Sequence, residues 1–147
     1  MSLFFEDINI GDEYISPGRT ITEADVVNFA GVTGDFHQLH TDEQFCQQYS
    51  PFKTRIAHGL LGLCFATALM TRLDLTNSTT LAFLGMSKLE FKAPIMIGDT
   101  IRARITFIDK RETKKGLGIV TSRITVINQK DEEVQVAEQA AMIARKP

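Results

Sequence analysis

All three histidines of this chain, His37, His40 and His58, fall between Phe36 and Gly59. Asp35 follows Gly34 immediately ahead of them. An aspartate and a histidine five positions apart on a loop can converge on one small molecule and hold a water between them. The carboxylate then serves as general base and the imidazole as donor or acid. Spacing alone leaves a plainer reading open, in which Asp35 shapes the loop and His40 is an ordinary satisfied polar residue. His58 stands beside Gly59 at the start of an apolar run. It reads as a positioning group rather than a reacting one, because a single acid–base pair suffices. A metal site from His37, His40 and Asp42 is a weaker alternative. His-x-x-His on a loop is loose and has no third strong ligand at tight spacing, so no metal is expected.

The flanking pattern says what must position these groups. Thr22-Glu23-Ala24-Asp25 is a capping-box sequence, and Ile21 and Val26 stand at the positions of a hydrophobic staple. A helix is expected over Glu23–Ala30, with Gly31 as its stop. The polar, glycine-containing segment GVTGDFHQLHTDEQF reads as a loop leading into a short turn or helix around Thr41–Gln48, which Ser50-Pro51 ends. From Gly59 to Met70 only Thr67 is polar. A helix without a hydrophilic face is expected to be buried on all sides, and this run is too short to span a membrane.

The C-terminal half supplies the wrapper, because its period switches to two. Ile101, Ala103, Ile105 and Phe107 alternate with Arg102, Arg104 and Thr106. Val120, Ser122, Ile124 and Val126 alternate with Thr121, Arg123 and Thr125. Leu81–Phe91 and Val134–Ala144 are two further long segments. Turns are expected at Ile97-Gly98-Asp99, around Lys114-Lys115-Gly116 and at 128–133. The simplest architecture is α+β, an antiparallel sheet of about five strands curled round one apolar helix, which is the hot-dog arrangement. Residues 1–147 read as one such domain, with no linker or repeat.

Composition excludes several functions. At 147 residues the chain is long enough for folding to bury about two-thirds of its unfolded surface. Hydrophobic residues make up 44% and charged residues 23%, as in ordinary globular domains. Sixteen Lys and Arg against 18 Asp and Glu leave a net charge of −2, without the basic excess of a nucleic-acid binder. Cys46 and Cys64 cannot build a disulfide framework, and Cys64 reads as a small hydrophobe. The start MSLFFEDINIGDEY lacks the positive region of a signal peptide, so the cytoplasm is the default compartment. Lys110, Arg111, Lys114 and Lys115 read as a solvated hairpin tip, and Gly116-Leu117-Gly118 lacks the rest of a nucleotide-binding fingerprint. Phe29, Phe45, Phe52, Phe65 and Phe83 read as core or pocket wall.

Three blocks together resemble one family. Gly34-Asp35-Phe36-His37-Gln38-Leu39-His40-Thr41-Asp42 is similar to the G-D-x-N-P-x-H-x-D loop of the MaoC-like, or (R)-specific, enoyl-CoA hydratases. Arg55-Ile56-Ala57-His58-Gly59-Leu60 is similar to the start of that family's apolar helix. Phe91-Lys92-Ala93-Pro94-Ile95-Met96-Ile97-Gly98-Asp99-Thr100 resembles its F-x-A-P-V-x-x-G-D-T strand and turn. The chain departs from the pattern at His37-Gln38, where the family has Asn-Pro.

The resemblance implies reversible hydration of a trans-2-enoyl thioester to the (R)-3-hydroxyacyl thioester. The substrate would be carried on coenzyme A or acyl carrier protein, with no other cofactor. It implies Asp35 and His40 as the pair that activates water and manages the proton at C2. His37 would stand where the family's asparagine supports the water. Backbone N–H at the start of the apolar helix suits the developing enolate oxygen, with Gly59 as the oxyanion donor and His58 beside it. A homodimer or dimer of dimers is implied, and edge strands give it a physical reason. A thioesterase of the same fold would normally carry its carboxylate on the central helix, and Leu60–Met70 contains no acid or base. A non-catalytic acyl-CoA-binding protein is the remaining alternative.

Overall fold

The computed structural model describes residues 2–147. Its strands and helices follow in the order β1 (Glu13–Ile15), β2 (Arg19–Thr20), α1 (Glu23–Thr33), α2 (Gln38–Thr41), α3 (Glu43–Tyr49), α4 (Gly59–Thr71), β3 (Thr80–Phe91), β4 (Thr100–Glu112), β5 (Gly118–Ile127) and β6 (Glu133–Ile143). The sheet runs β1-β4-β5-β6-β3, with β2 also on β4, and every pairing is antiparallel. The four long strands are those expected, β4 and β5 from alternation and β3 and β6 as the two further long segments. The remainder of the expected sheet comes from β1 and β2, too short to show a period in sequence.

The inward row of β4, Ile101, Ala103, Ile105 and Phe107, is buried as the alternation requires. It meets Leu61, Ala66 and Leu69 of α4, together with Ile124 and Val126 of β5 and Val134 of β6. A second apolar cluster joins Phe5 and Ile8 to Phe107, Val120, Ala141 and Ile143. Lys110 does not sit in a solvated tip: its Nζ donates to the carbonyls of Ile8 and Phe5, tying the N-terminal turn to β4. Arg102 and Arg104 pair across the sheet with Asp131, Glu13 and Glu133.

Two further expectations need correction. Gly31 does not end α1, which continues to Thr33. Gly34 is the stop, because it adopts the left-handed conformation (φ 77°) and donates its N–H to the Ala30 carbonyl at 2.8 Å. Nor is α4 buried on every side. Leu60, Cys64 and Ala68, one turn apart, face solvent. At the end of the sheet order lies β3, where Leu81, Phe83 and Leu84 are also exposed. One curled sheet covers only part of the helix circumference.

Candidate active site

The loop after α1 is shaped by its own side chains. Thr33 Oγ1 donates to the Phe29 carbonyl and accepts from the Asp35 N–H, and Asp35 Oδ1 accepts from the His37 N–H at 3.2 Å. His37 is the N-cap of α2, its Nδ1 accepting from the Leu39 N–H at 3.1 Å. The segment around His40 is therefore a one-turn helix rather than open loop. Asp42 caps the next helix through the Phe45 N–H at 2.9 Å.

His40 is half-buried, and its Nδ1 lies 2.8 Å from the Ile56 carbonyl. A carbonyl only accepts, so the neutral ring carries its proton on Nδ1 and leaves the Nε2 lone pair free. Burial holds this imidazole below its usual pKa. The Ile56 carbonyl pulls the other way, and among the neighbouring charges His58 lowers it further while Asp35 raises it. His58, 2% exposed, stacks on His40 with ring centroids 3.9 Å apart and donates Nε2–H to the Asp35 carbonyl at 3.0 Å. Phe29 lies against its ring. The ligand-capable atoms of Asp35, His40 and His58 lie within 4.8 Å of one another.

The carbonyl that fixes His40 is itself braced. Arg55 forms a fork onto Glu23 of α1 (2.5 and 3.0 Å) and reaches Glu43 of α3 through Nε at 3.0 Å. Both carboxylates are held below their usual range by this guanidinium, whose own pKa is pushed up. The next residue, Ile56, donates to the Leu39 carbonyl and bridges to Met96. The histidine loop and the start of α4 are thus fastened to the same strap.

These groups open on a cavity of about 650 Å³ lined by Asp35, His40, His58 and Gly59, with walls from Phe29, Phe52, Leu60 and Phe91. The side chain of His58 makes no capping bond to α4, so the first N–H groups of the helix are left for other partners. The Gly59 position also explains itself: a Cβ there would lie 2.8 Å from the Phe91 ring. Residues 7–129 match the family described as the MaoC like domain.

The chain belongs to the MaoC-like dehydratase family. It is 40% identical over 123 residues to an "(R)-specific enoyl-CoA hydratase" of Rhodospirillum rubrum, covering 83% of this chain and 79% of that protein. It is 39% identical over 112 residues to "Protein MaoC" of Klebsiella aerogenes, 76% of this chain but only 32% of that relative's length. Among solved structures, a monoamine oxidase regulatory protein from Archaeoglobus fulgius superposes with a TM-score of 0.93 at 35% identity. That match covers 99% of this chain and 97% of the other.

Within this MaoC-like domain, Asp35, His40, His58 and Gly59 share one cavity. His37 does not line it: its ring centroid is 6.1 Å from that of His40, and its Nδ1 is committed to capping. The trio weighed for a metal is not the one brought together, because Asp42 spends its carboxylate on α3 and His58 stands closer to His40. Of the phenylalanines, Phe29 and Phe52 line the site. Phe65 lies under the Arg19 guanidinium and Phe45 packs on Tyr49. Phe83 lines a separate cavity of about 440 Å³ at the other end of α4. Three contributors were missed from sequence: Arg55 as brace, Phe91 over Gly59, and Gln135 of β6, which donates to the Gly59 carbonyl at 2.8 Å. A glutamine amid the apolar residues of Val134–Ala137 was the one available signal for the last.

Proposed function

We propose that this protein catalyses the reversible hydration of a trans-2-enoyl thioester, carried on coenzyme A or acyl carrier protein, to the (R)-3-hydroxyacyl thioester. The observation that carries this reading is His40. Its Nδ1–H is committed to the Ile56 carbonyl and its low pKa favours the neutral ring, so Nε2 is an available base beside the Asp35 carboxylate.

A water donating to His40 Nε2 and to the free oxygen of Asp35 is held with its own oxygen lone pair toward C3. As the O–C3 bond forms, the C2=C3 π pair moves onto C2 and the thioester oxygen takes on enolate charge. One water proton passes to the Asp35–His40 pair, and the pair delivers a proton to C2. The pair ends with the proton count it began with, and the product carries the hydroxyl at C3. The Gly59 N–H at the uncapped start of α4 is the donor aimed at the enolate oxygen. His58 orients Asp35 through the backbone and supports the His40 ring, and His37 fixes the turn that presents His40. The apolar wall of Phe29, Phe52, Leu60 and Phe91 suits an acyl thioester. None of these steps calls for a metal or a second cofactor.

A second copy of the chain would cover the Leu60–Cys64–Ala68 stripe and extend the sheet at β3, giving the homodimer or dimer of dimers implied by the unpaired edge. Among the described residues no helix is long and apolar enough to cross a membrane.

The test follows loss of enoyl-thioester absorbance across short- and medium-chain trans-2-enoyl-CoAs. Asp35→Asn and His40→Ala are each expected to lose about 10²–10⁴-fold in kcat. Acyl-CoA binding without turnover in the native protein would overturn the hydratase reading in favour of a binding protein, and thiol release would favour a thioesterase.

A further inference from the structure

We infer that Gln135 is a positioning residue for the oxyanion donors at the start of α4, an inference that rests on the hydratase reading above. Gln135 lies on β6 directly opposite Phe91 of β3 in the antiparallel register, so the two side chains leave the sheet on the same face. Both reach Gly59. The Phe91 ring occupies the space where a Cβ of Gly59 would stand, and Gln135 Nε2 donates to the Gly59 carbonyl at 2.8 Å. One rung of the sheet therefore grips the first residue of the helix from two directions. Gly62, one turn on, makes room for the grip: a Cβ there would come within 2.8 Å of Gln135 Nε2 and 3.0 Å of Oε1.

The bonding pattern separates positioning from simple filling. Gln135 is 2% exposed and its Oε1 has no partner. A buried, unpaired acceptor costs free energy that an apolar side chain of similar length would avoid. What the amide supplies is its N–H. A carbonyl cannot donate, so the amide must face Gly59 through nitrogen. The Gly59 carbonyl belongs to the peptide whose N–H is that of Leu60. Donation to its oxygen polarises this peptide and strengthens the N–H at its other end. Holding that peptide also limits movement of Gly59, which carries the adjoining N–H. His58 leaves these first-turn donors without a side-chain cap, so their aim is set from the carbonyl side, where Gln135 holds the Gly59 carbonyl and the Leu61 and Gly62 N–H groups hold that of His58.

The experiment compares native protein, Gln135→Met and Gln135→Glu. It measures kcat and KM on a trans-2-enoyl-CoA, the pH profile, the melting temperature, and the absorbance shift of a bound 2,4-dienoyl-CoA. That shift reports polarisation of the thioester carbonyl without requiring turnover. Because Gln135 acts through the peptide rather than on substrate, Gln135→Met is expected to lower kcat by about 10- to 100-fold, less than loss of a direct donor. KM should stay within about threefold. Melting and the acid limb of the profile should be nearly unchanged, and the dienoyl red shift should shrink. In Gln135→Glu a protonated carboxyl can donate as the amide did, so activity should recover as pH falls, adding an ionisation the native enzyme lacks.

A Gln135→Met protein with native kcat and native dienoyl shift overturns the inference while leaving the hydratase reading intact. So does a loss that appears only in KM or follows the melting temperature. A native protein that hydrates no enoyl thioester removes both.

Discussion

Gly62→Ala is a small change whose consequences can be worked from the geometry. The added methyl would overlap Ile95 Cδ1 and come within 2.8–3.0 Å of the Gln135 amide. Ile95 is 3% exposed and Gln135 is 2% exposed, so neither side chain can swing into solvent. Overpacking of this kind typically costs about 1–3 kcal/mol. Alanine returns about 1 kcal/mol through its better helix propensity. With two buried neighbours displaced the cost falls in the upper half of that range, about 2–3 kcal/mol, so the net is a loss of about 1–2 kcal/mol, or a melting temperature lower by about 3–8 °C for a domain of this size. The second consequence is functional. The methyl pushes the Gln135 amide off the Gly59 carbonyl, so kcat on an enoyl-CoA should fall by at least about tenfold at 25 °C, where the variant remains folded. Circular dichroism melting and initial rates of enoyl-CoA hydration on the same preparation check both. A variant that melts at or above the native temperature with native kcat would refute the close approach of α4 to Gln135. A lower melting temperature with native kcat would leave the packing argument standing and refute the link from Gln135 to the chemistry.

Because burial depresses the His40 pKa, kcat/KM should fall on the acid side with a midpoint below about 6.5 and be flat above it, as a rate–pH profile will show. The native state also binds the His40 proton more weakly than the unfolded chain. Its stability contribution is therefore complete above about pH 6.5 and lost as pH falls through the folded value. Urea denaturation between pH 5 and 7.5 should show this loss in native protein and less of it in His40→Asn. Cys64→Arg or Leu84→Arg, each placing a charge on the exposed apolar stripe or the β3 edge, should convert a dimer to monomer in light scattering. A native protein that is already monomeric would refute the covered face.

The parts of this structure legible in sequence were those that repeat or that satisfy local backbone groups. Thr22 and Asp25 form the reciprocal capping pair their spacing promised, and β4 buries every second residue from Ile101 to Phe107. Asp35 and His40 face one cavity as their spacing allowed. The illegible parts depend on distant partners. Gly31 and Gly34 are equally good stops on paper, and only Gly34 adopts the left-handed conformation. The apolar circumference of α4 predicted complete burial, but composition cannot say whether the cover comes from the same copy. Gln135 and Arg55 act across 76 and 32 positions of chain respectively, and no local spacing reveals either contact.

The departure from the family's loop at His37-Gln38 has a structural explanation in the geometry of α2. His37 is the N-cap of that one-turn helix and Gln38 its first residue. Asparagine is among the preferred N-cap residues and proline is favoured at the first helical position. The family's Asn-Pro therefore reads as a helix start at these two places. In this chain His37 Nδ1 accepts the Leu39 N–H that an asparagine oxygen would accept, and Thr41 Oγ1 adds a bond to the His37 carbonyl. Gln38 keeps the helix without proline's fixed φ, and the Asp35–His37 bond holds the preceding turn. The substitution thus preserves the element that presents His40 to Asp35.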